Sequence, residues 1–305
     1  MKIFIETYLV CWAFVVFTSC TVTRYEYAFV SNRDENLDVY MSLLNQPLLN
    51  ITNDKFTDYG IKWSPDGKSI LFAKQINKQY DLFLYQVESK TIEQLTNDGL
   101  DQIGPSFSPD GRSILFQSNC DHTLNEIYLM SLATRKTIRL TNNDRLDGSP
   151  TFHPDGNRIF YTSFMERDSA NRIINSEIFV TDTLGSYHSR LTHRPGNDGA
   201  LDISPNGKTL ACHYFINGKA DIYTMDTDGQ HIRQLTSDTL DNRWPRWTPD
   251  GKFIAYTRVA AHSDIWIMDK NGKHKKPYVE SPKRDEILEF RALVRKTAPK
   301  KASSD

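Results

Sequence analysis

Between residues 25 and 285 the apolar positions fall in short runs of about four, bracketed by turn-forming residues, and helical periodicity is nearly absent. The turn Pro-Asp-Gly occurs at Pro65, Pro109, Pro154 and Pro249, with Pro-Asn-Gly at Pro205; the successive spacings are 44, 45, 51 and 44. Ahead of each turn stand Trp63-Ser64, Phe107-Ser108, Phe152-His153, Ile203-Ser204 and Trp247-Thr248, and behind it the runs SILF, SILF, RIFY, TLAC and FIAY. Proline presets φ at the first turn position and glycine accepts a positive φ at the last, so each turn reverses the chain between antiparallel strands. A further strand follows with an acid before a hydrophobic-aromatic pair: Asp81-Leu82-Phe83, Glu126-Ile127-Tyr128, Glu177-Ile178-Phe179, Asp221-Ile222-Tyr223 and Asp264-Ile265-Trp266. Leu95-Thr96, Leu140-Thr141, Leu191-Thr192 and Leu235-Thr236 then close the unit. Four short strands repeating at about 45 residues predict the blades of an all-β propeller, and the unbroken apolar runs suit sheets covered on both faces.

The ends of the array predict its closure. Residues 27–53 (YAFVSNRDENLDVYMSLLNQPLLNITN) repeat the pattern of a later unit, including Asp38-Val39-Tyr40 and Ile51-Thr52, but lack the innermost strand. Residues 285–292 (DEILEFRA) align with 58–65 and place Phe290 where Trp63 stands. The last strand is therefore expected to complete the first blade, giving six four-stranded antiparallel blades without exposed sheet edges at the seam.

Composition narrows the classes. Apolar residues make up 39%, aromatic residues 11% and charged residues 25% of 305, which excludes a disordered chain and a polytopic membrane protein. With 37 basic against 38 acidic side chains there is no electrostatic case for nucleic acid. Residues 8–17 (YLVCWAFVVF) form an apolar run behind Lys2, too short to span a bilayer and suited to a signal peptide. Thr18-Ser19-Cys20 after it is similar to a bacterial lipobox, with Phe17 and Glu6 departing from that pattern. The resemblance implies lipid attachment at Cys20; ordinary secretion and an uncleaved anchor stay open. The expected organisation is a lipoprotein-type signal over 1–19, a linker over 20–24, the propeller over 25–292 and a basic tail over 293–305. Beyond Cys20 only Cys120 and Cys212 remain, at non-equivalent positions of the repeat, so no bridge is expected.

With its repeats laid out, the sequence resembles the TolB-like propellers, whose blades read W-S-P-D-G-x-x-I-A-Y, then D-I-Y, then R-x-L-T. Trp63-Ser64-Pro65-Asp66-Gly67 and Arg233-Gln234-Leu235-Thr236 carry the likeness, which covers residues 25 to 292. TolB also has an N-terminal domain that contacts envelope partners, and none is expected here. The resemblance implies a monomeric, periplasmic or lipid-anchored propeller that binds an envelope protein, a peptide or a glycan. Such blades also occur in enzymes acting on peptides and polysaccharides.

Catalytic motifs are few. The sequence has no G-x-S-x-G elbow, no C-x-x-C pair and no H-E-x-x-H helix, and its eight histidines are scattered. One chemical feature repeats: Asp58, Asp101, Asp147, Asp198, Asp241 and Asp285 stand seven or eight residues before the turn position. They are expected at the start of the innermost strands, on one rim of the channel. Two readings stay open, a local one in which each carboxylate accepts backbone N–H bonds, and a ring that holds Ca2+ or a basic peptide. The spacing of 51 reflects a longer loop expected at 164–176 (FMERDSANRIINS), with Arg167 and Arg172 as candidate partner contacts. The sequence thus predicts a binding module without resident cofactor. The alternatives are an enzyme using carboxylates at the channel mouth on a polysaccharide or anionic polymer, and a sensor reporting through oligomerisation.

Overall fold

The computed structural model describes residues 25–120, 124–167 and 173–292. Twenty-four strands and no helix occur among them. The first blade holds β1 (Tyr27–Asp34), β2 (Asn36–Ser42) and β3 (Leu49–Asn50). The second holds β4 (Thr57–Trp63), β5 (Ser69–Ile76), β6 (Gln79–Gln86) and β7 (Thr91–Gln94). The third holds β8 (Gln102–Phe107), β9 (Ser113–Ser118), β10 (Glu126–Ser131) and β11 (Thr137–Arg139). The fourth holds β12 (Asp147–Phe152), β13 (Arg158–Arg167), β14 (Ile173–Asp182) and β15 (Ser189–Arg190). The fifth holds β16 (Gly196–Ile203), β17 (Thr209–Ile216), β18 (Lys219–Asp226) and β19 (Arg233–Gln234). The sixth holds β20 (Asp241–Trp247), β21 (Phe253–Val259), β22 (Ser263–Asp269) and β23 (Lys276–Val279), and β24 (Asp285–Phe290) returns to the first blade.

Side-chain alternation explains the apolar runs. In β5, Ile70 and Phe72 pack toward the first blade, while Leu71 and Ala73 pack toward the third. The same division yields six buried clusters, one at each junction between neighbouring blades, including the junction of the sixth with the first. A strand covered on both sides has no polar face, which is why its sequence reads as an unbroken run.

The seam closes as the sequence predicts. β24 pairs antiparallel with β1, with Tyr27 opposite Phe290 and Ser31 opposite Asp285. Arg33 donates to both carboxylate oxygens of the buried Asp285 at 2.8 and 3.0 Å, a fork that fits both oxygens at once. At the other end of the strand, Arg291 donates to the Gly67 carbonyl at 2.7 Å and pairs with Glu26.

In five blades the acid of the third strand is buried, and it is held by its own outer strand. Asn50, Gln94, Arg139, Arg190 and Gln234 donate to Asp38, Asp81, Glu126, Glu177 and Asp221. Glutamate meets arginine, whereas aspartate meets the amides of Asn and Gln. The threonine of each L-T or I-T pair accepts the N–H of the residue after the acid, at 2.8 to 3.0 Å, from Val39, Leu82, Ile127, Ile178 and Ile222. The latch satisfies a carboxylate that burial would otherwise penalise. In the sixth blade it is missing, because Val279 and Pro277 stand at the positions of Thr236 and Gln234.

The long segment of the fourth blade is mostly strand rather than loop. β13 and β14 are ten residues each, and β14 continues into a parallel pairing of Asn175 and Ser176 with Gly196 and Asn197. The insertion thereby joins the fourth and fifth blades into one eight-stranded sheet. Arg167 ends β13, and Arg172 lies outside the described residues, as do Cys20 and the basic tail. Cys120 and Cys212 are free.

Thr236 tests the latch, since its Oγ1 accepts from Ile222 N–H and donates to Asp221. Thr236→Val, which keeps the shape and loses both bonds, is expected to cost about 2 kcal/mol in urea unfolding, whereas Thr236→Ser retains most of the stability. Equal stabilities of the two variants would contradict the latch.

Candidate functional site

The six innermost strands β24, β4, β8, β12, β16 and β20 line a central channel. Each contains a bulge whose central residue has a positive φ: Gly60, Gly104, Ser149, Ala200, Trp244 and Ile287. Glycine adopts this conformation freely, but Trp244 at +51° and Ile287 at +48° hold it at a steric cost. Side chains of the preceding blade accept the bulge N–H groups. Gln117 accepts Ser149 N–H at 2.9 Å, Thr257 accepts Ile287 N–H at 3.3 Å, and His213 Nδ1 accepts Trp244 N–H at 3.5 Å. Burial, together with Arg243 and Arg246, lowers the His213 pKa to about 4, so the ring is neutral at neutral pH and free to accept. The bulges surround a cavity of about 350 Å³ that includes His213 and Trp244 in its lining.

At the rim where the innermost strands begin, the predicted aspartates fall into two sets. Asp58, Asp147, Asp198 and Asp285 occupy one register position, opposite Lys74, Ser163, Tyr214 and Ser31 of the next strand. In the third and sixth blades that position belongs to Gln102 and Asn242, opposite Ser118 and Arg258. Asp101 and Asp241, with the spacing of eight, stand one residue earlier. A one-residue shift turns a side chain to the other side of the strand. Their carboxylates clasp the preceding blade instead, accepting Tyr80 N–H at 3.0 Å and Ala220 N–H at 2.6 Å. The rim is therefore Asp58, Gln102, Asp147, Asp198, Asn242 and Asp285, each at most 2% exposed.

The residue four positions earlier in the connecting loop anchors five of these six groups. Asp98 accepts from Gln102, Asn143 donates to Asp147, Arg194 pairs with Asp198, Asp238 accepts from Asn242, and Ser281 donates to Asp285. Around Asp58 the buried Lys74 mediates, 3.6 Å from Asp58 and bonded to Asp54 as well. Burial raises the Asp58 carboxyl to about 7 against the pull of Lys74, and raises Asp147 to about 6 against its hydrogen bonds. Among the described residues no three His, Cys, Asp or Glu side chains converge as a metal site requires.

Further along the channel lies a ring that motif reading missed. The residue just before each aromatic or apolar turn residue is Lys62, Ser106, Thr151, Asp202, Arg246 or Glu289, all at one register position. Lys62 Nζ and Arg246 Nε each lie 2.9 Å from Glu289 Oε2, joining the second, first and sixth blades. Asp202 accepts Trp247 N–H at 2.6 Å, and burial raises its carboxyl above the usual range despite the nearby Lys62 and Arg246. The two cations and two anions occupy four consecutive blades. Asp202 and Glu289 open on the turn-side mouth, a cavity of about 730 Å³ walled by Trp63, Trp247, Phe290 and prolines 65, 205 and 249, whereas Lys62 and Arg246 line the bulge cavity. The signal was present in sequence, as a position that varies beside an invariant turn.

Asp58 gives a pH test. Folding raises its pKa, so the folded chain holds the proton more tightly than the unfolded one. The stability this group contributes is full below about pH 4 and is lost as pH rises through about 7. Asp58→Asn stays neutral and is expected to gain stability relative to the parent chain between pH 4 and pH 8, read by urea unfolding at both. A stability difference independent of pH would overturn this assignment.

Comparisons agree with this architecture. Residues 76–174 match the TolB beta propeller domain family. A curated relative, the uncharacterized protein Atu1656 of Agrobacterium fabrum, is 24% identical over 90 residues, and the match spans 30% of each protein. The crystal structure of TolB from Acinetobacter baumannii superposes with a TM-score of 0.72 at 23% identity, covering 88% of this chain and 67% of that one. Oligogalacturonate lyase from Vibrio parahaemolyticus superposes with a TM-score of 0.56 at 12% identity, covering 83% and 74%. The closed ring of four-stranded blades is thus the fold of the TolB propellers, and residues 76–174 match that family.

Proposed function

We propose that this propeller is a non-catalytic binding module of the bacterial cell envelope, periplasmic and attached to a membrane through a lipid on Cys20, that engages a protein partner through the ends of its channel. The observation that carries this reading is the use made of its buried carboxylates. Those of the latch, with Asp147, Asp198 and Asp285 of the rim, are bonded to the scaffold's own amides, guanidinium groups and hydroxyls, which suits them to holding shape, and Asp58 faces the ammonium of Lys74. The likeness to TolB propellers supports the same reading. Calcium at the rim would have to displace Asn143, Arg194 and Arg33 from their carboxylates. Thermal unfolding is therefore expected to be the same in millimolar calcium and in chelator, and a rise with calcium would restore the ion-binding ring.

The second reading is an enzyme acting on an acidic polysaccharide, favoured by the likeness to oligogalacturonate lyase and by the raised carboxyls of Asp58 and Asp147. Both carboxyls are shut away from solvent, whereas an acid or base that acts on a polymer must reach it. Photo-crosslinking in intact cells tests the binding module. A crosslinker at Pro205 or at Lys283, on the two ends of the channel, is expected to trap a discrete protein that one at Ile138 on the outer edge does not. Equal capture at all three positions, or turnover of oligogalacturonate by the purified protein, would refute the reading.

A further inference from the structure

Between the turn that joins β21 to β22 and the segment that leads to β24 lies a cavity of about 500 Å³, on the aspartate side of the channel. Its lining brings together Arg243, His262, Lys283 and Arg284 with a single carboxylate, Glu286. That carboxylate is already satisfied, bonded through both oxygens by Arg284 at 2.6 and 2.8 Å and by Ser263 at 3.1 Å. Arg243 pairs with Asp241 behind the wall at 2.6 Å, and its Nε is buried without a partner. His262 lies 3.5 Å from Asp264. Lys283 is exposed and makes no ion pair among the described residues. With Arg243 and Arg284 each matched by one carboxylate, Lys283 leaves the cavity with a positive balance. Residues 259–261 and Pro282 give the wall an apolar patch beside the polar Asn32 and Ser263, and Trp244 belongs to the lining of both this cavity and the channel.

We infer that this cavity is a subsite for an acidic peptide segment, taking a glutamate carboxylate against Lys283 and Arg243 and its aliphatic stem against the small apolar patch. This rests on the binding-module reading and specifies its ligand. Val279 and Pro277 remove the latch, and the sequence Ser281-Pro282-Lys283-Arg284 follows. An apolar wall beside cations suits an acidic side chain with a methylene stem better than a hydroxyl-rich sugar acid.

Calorimetric titration of the full chain tests the subsite with three probes: the peptide acetyl-Ala-Glu-Leu-Glu-Leu, the same peptide with glutamine for glutamate, and trigalacturonate. The acidic peptide is expected to bind about tenfold more tightly than the glutamine peptide and to weaken with salt. Lys283→Glu, at an exposed position that leaves the fold alone, is expected to weaken it about tenfold, and Lys283→Arg to preserve it. Equal binding of the two peptides, no effect of Lys283→Glu, or binding of trigalacturonate alone would each overturn the subsite. If the peptide fails while a crosslinker at Pro205 still captures a partner, the subsite falls and the binding module stands.

Discussion

A ring of twisted blades covers both faces of every sheet only when its last blade meets its first. Here the meeting is made by backbone pairing of β24 with β1 and by two arginines, Arg33 on Asp285 and Arg291 on Glu26 and Gly67. Were the seam open, the cluster that joins Phe29 and Tyr40 to Ala255 and Ile265 would face water, and β1 would present a free edge. The channel exists because the ring is closed, so its rim, its bulges and its charged ring all depend on this contact between residues more than 250 apart in sequence.

Polar groups inside the ring are ordered by what they hold. The latch carboxylates bind inner to outer strands within a blade, the rim groups bind a blade to its connecting loop, and Asp101 and Asp241 bind one blade to the next. The charged ring of Lys62, Asp202, Arg246 and Glu289 works across blades, its acids lining the turn-side cavity and its cations the bulge cavity, so it can act on a ligand as well as on the scaffold. The sixth blade keeps the fold while omitting the latch, and the segment that leads from it to the first blade carries Lys283 and Arg284 into a cavity wall. A shared scaffold explains what repeats; the departures are where a particular chain can acquire a particular ligand.

The blades were legible in sequence because their physics is local. Pro-Asp-Gly sets a turn wherever it occurs, and an apolar run of strand length between turns has few other fates. The closing strand was legible too, since DEILEFRA repeats the pattern of an innermost strand that the first blade lacks. The rim was only half legible. Counting residues to the turn gave six aspartates, but the register moved two of them off the rim and put Gln102 and Asn242 in their place. The segment at 164–176 read as a loop because its polar composition hid the extended pairing with β16.

By itself the sequence determined an all-β ring of six blades and the place where it closes, because turns, strand length and burial on both faces follow from neighbouring residues. Only the tertiary structure decided which carboxylates meet which partners. Burial, register and the pairing of charges across blades depend on distances between residues that lie tens to hundreds apart in the chain. A one-residue shift, invisible in composition, is enough to turn a carboxylate from the rim to the blade behind it.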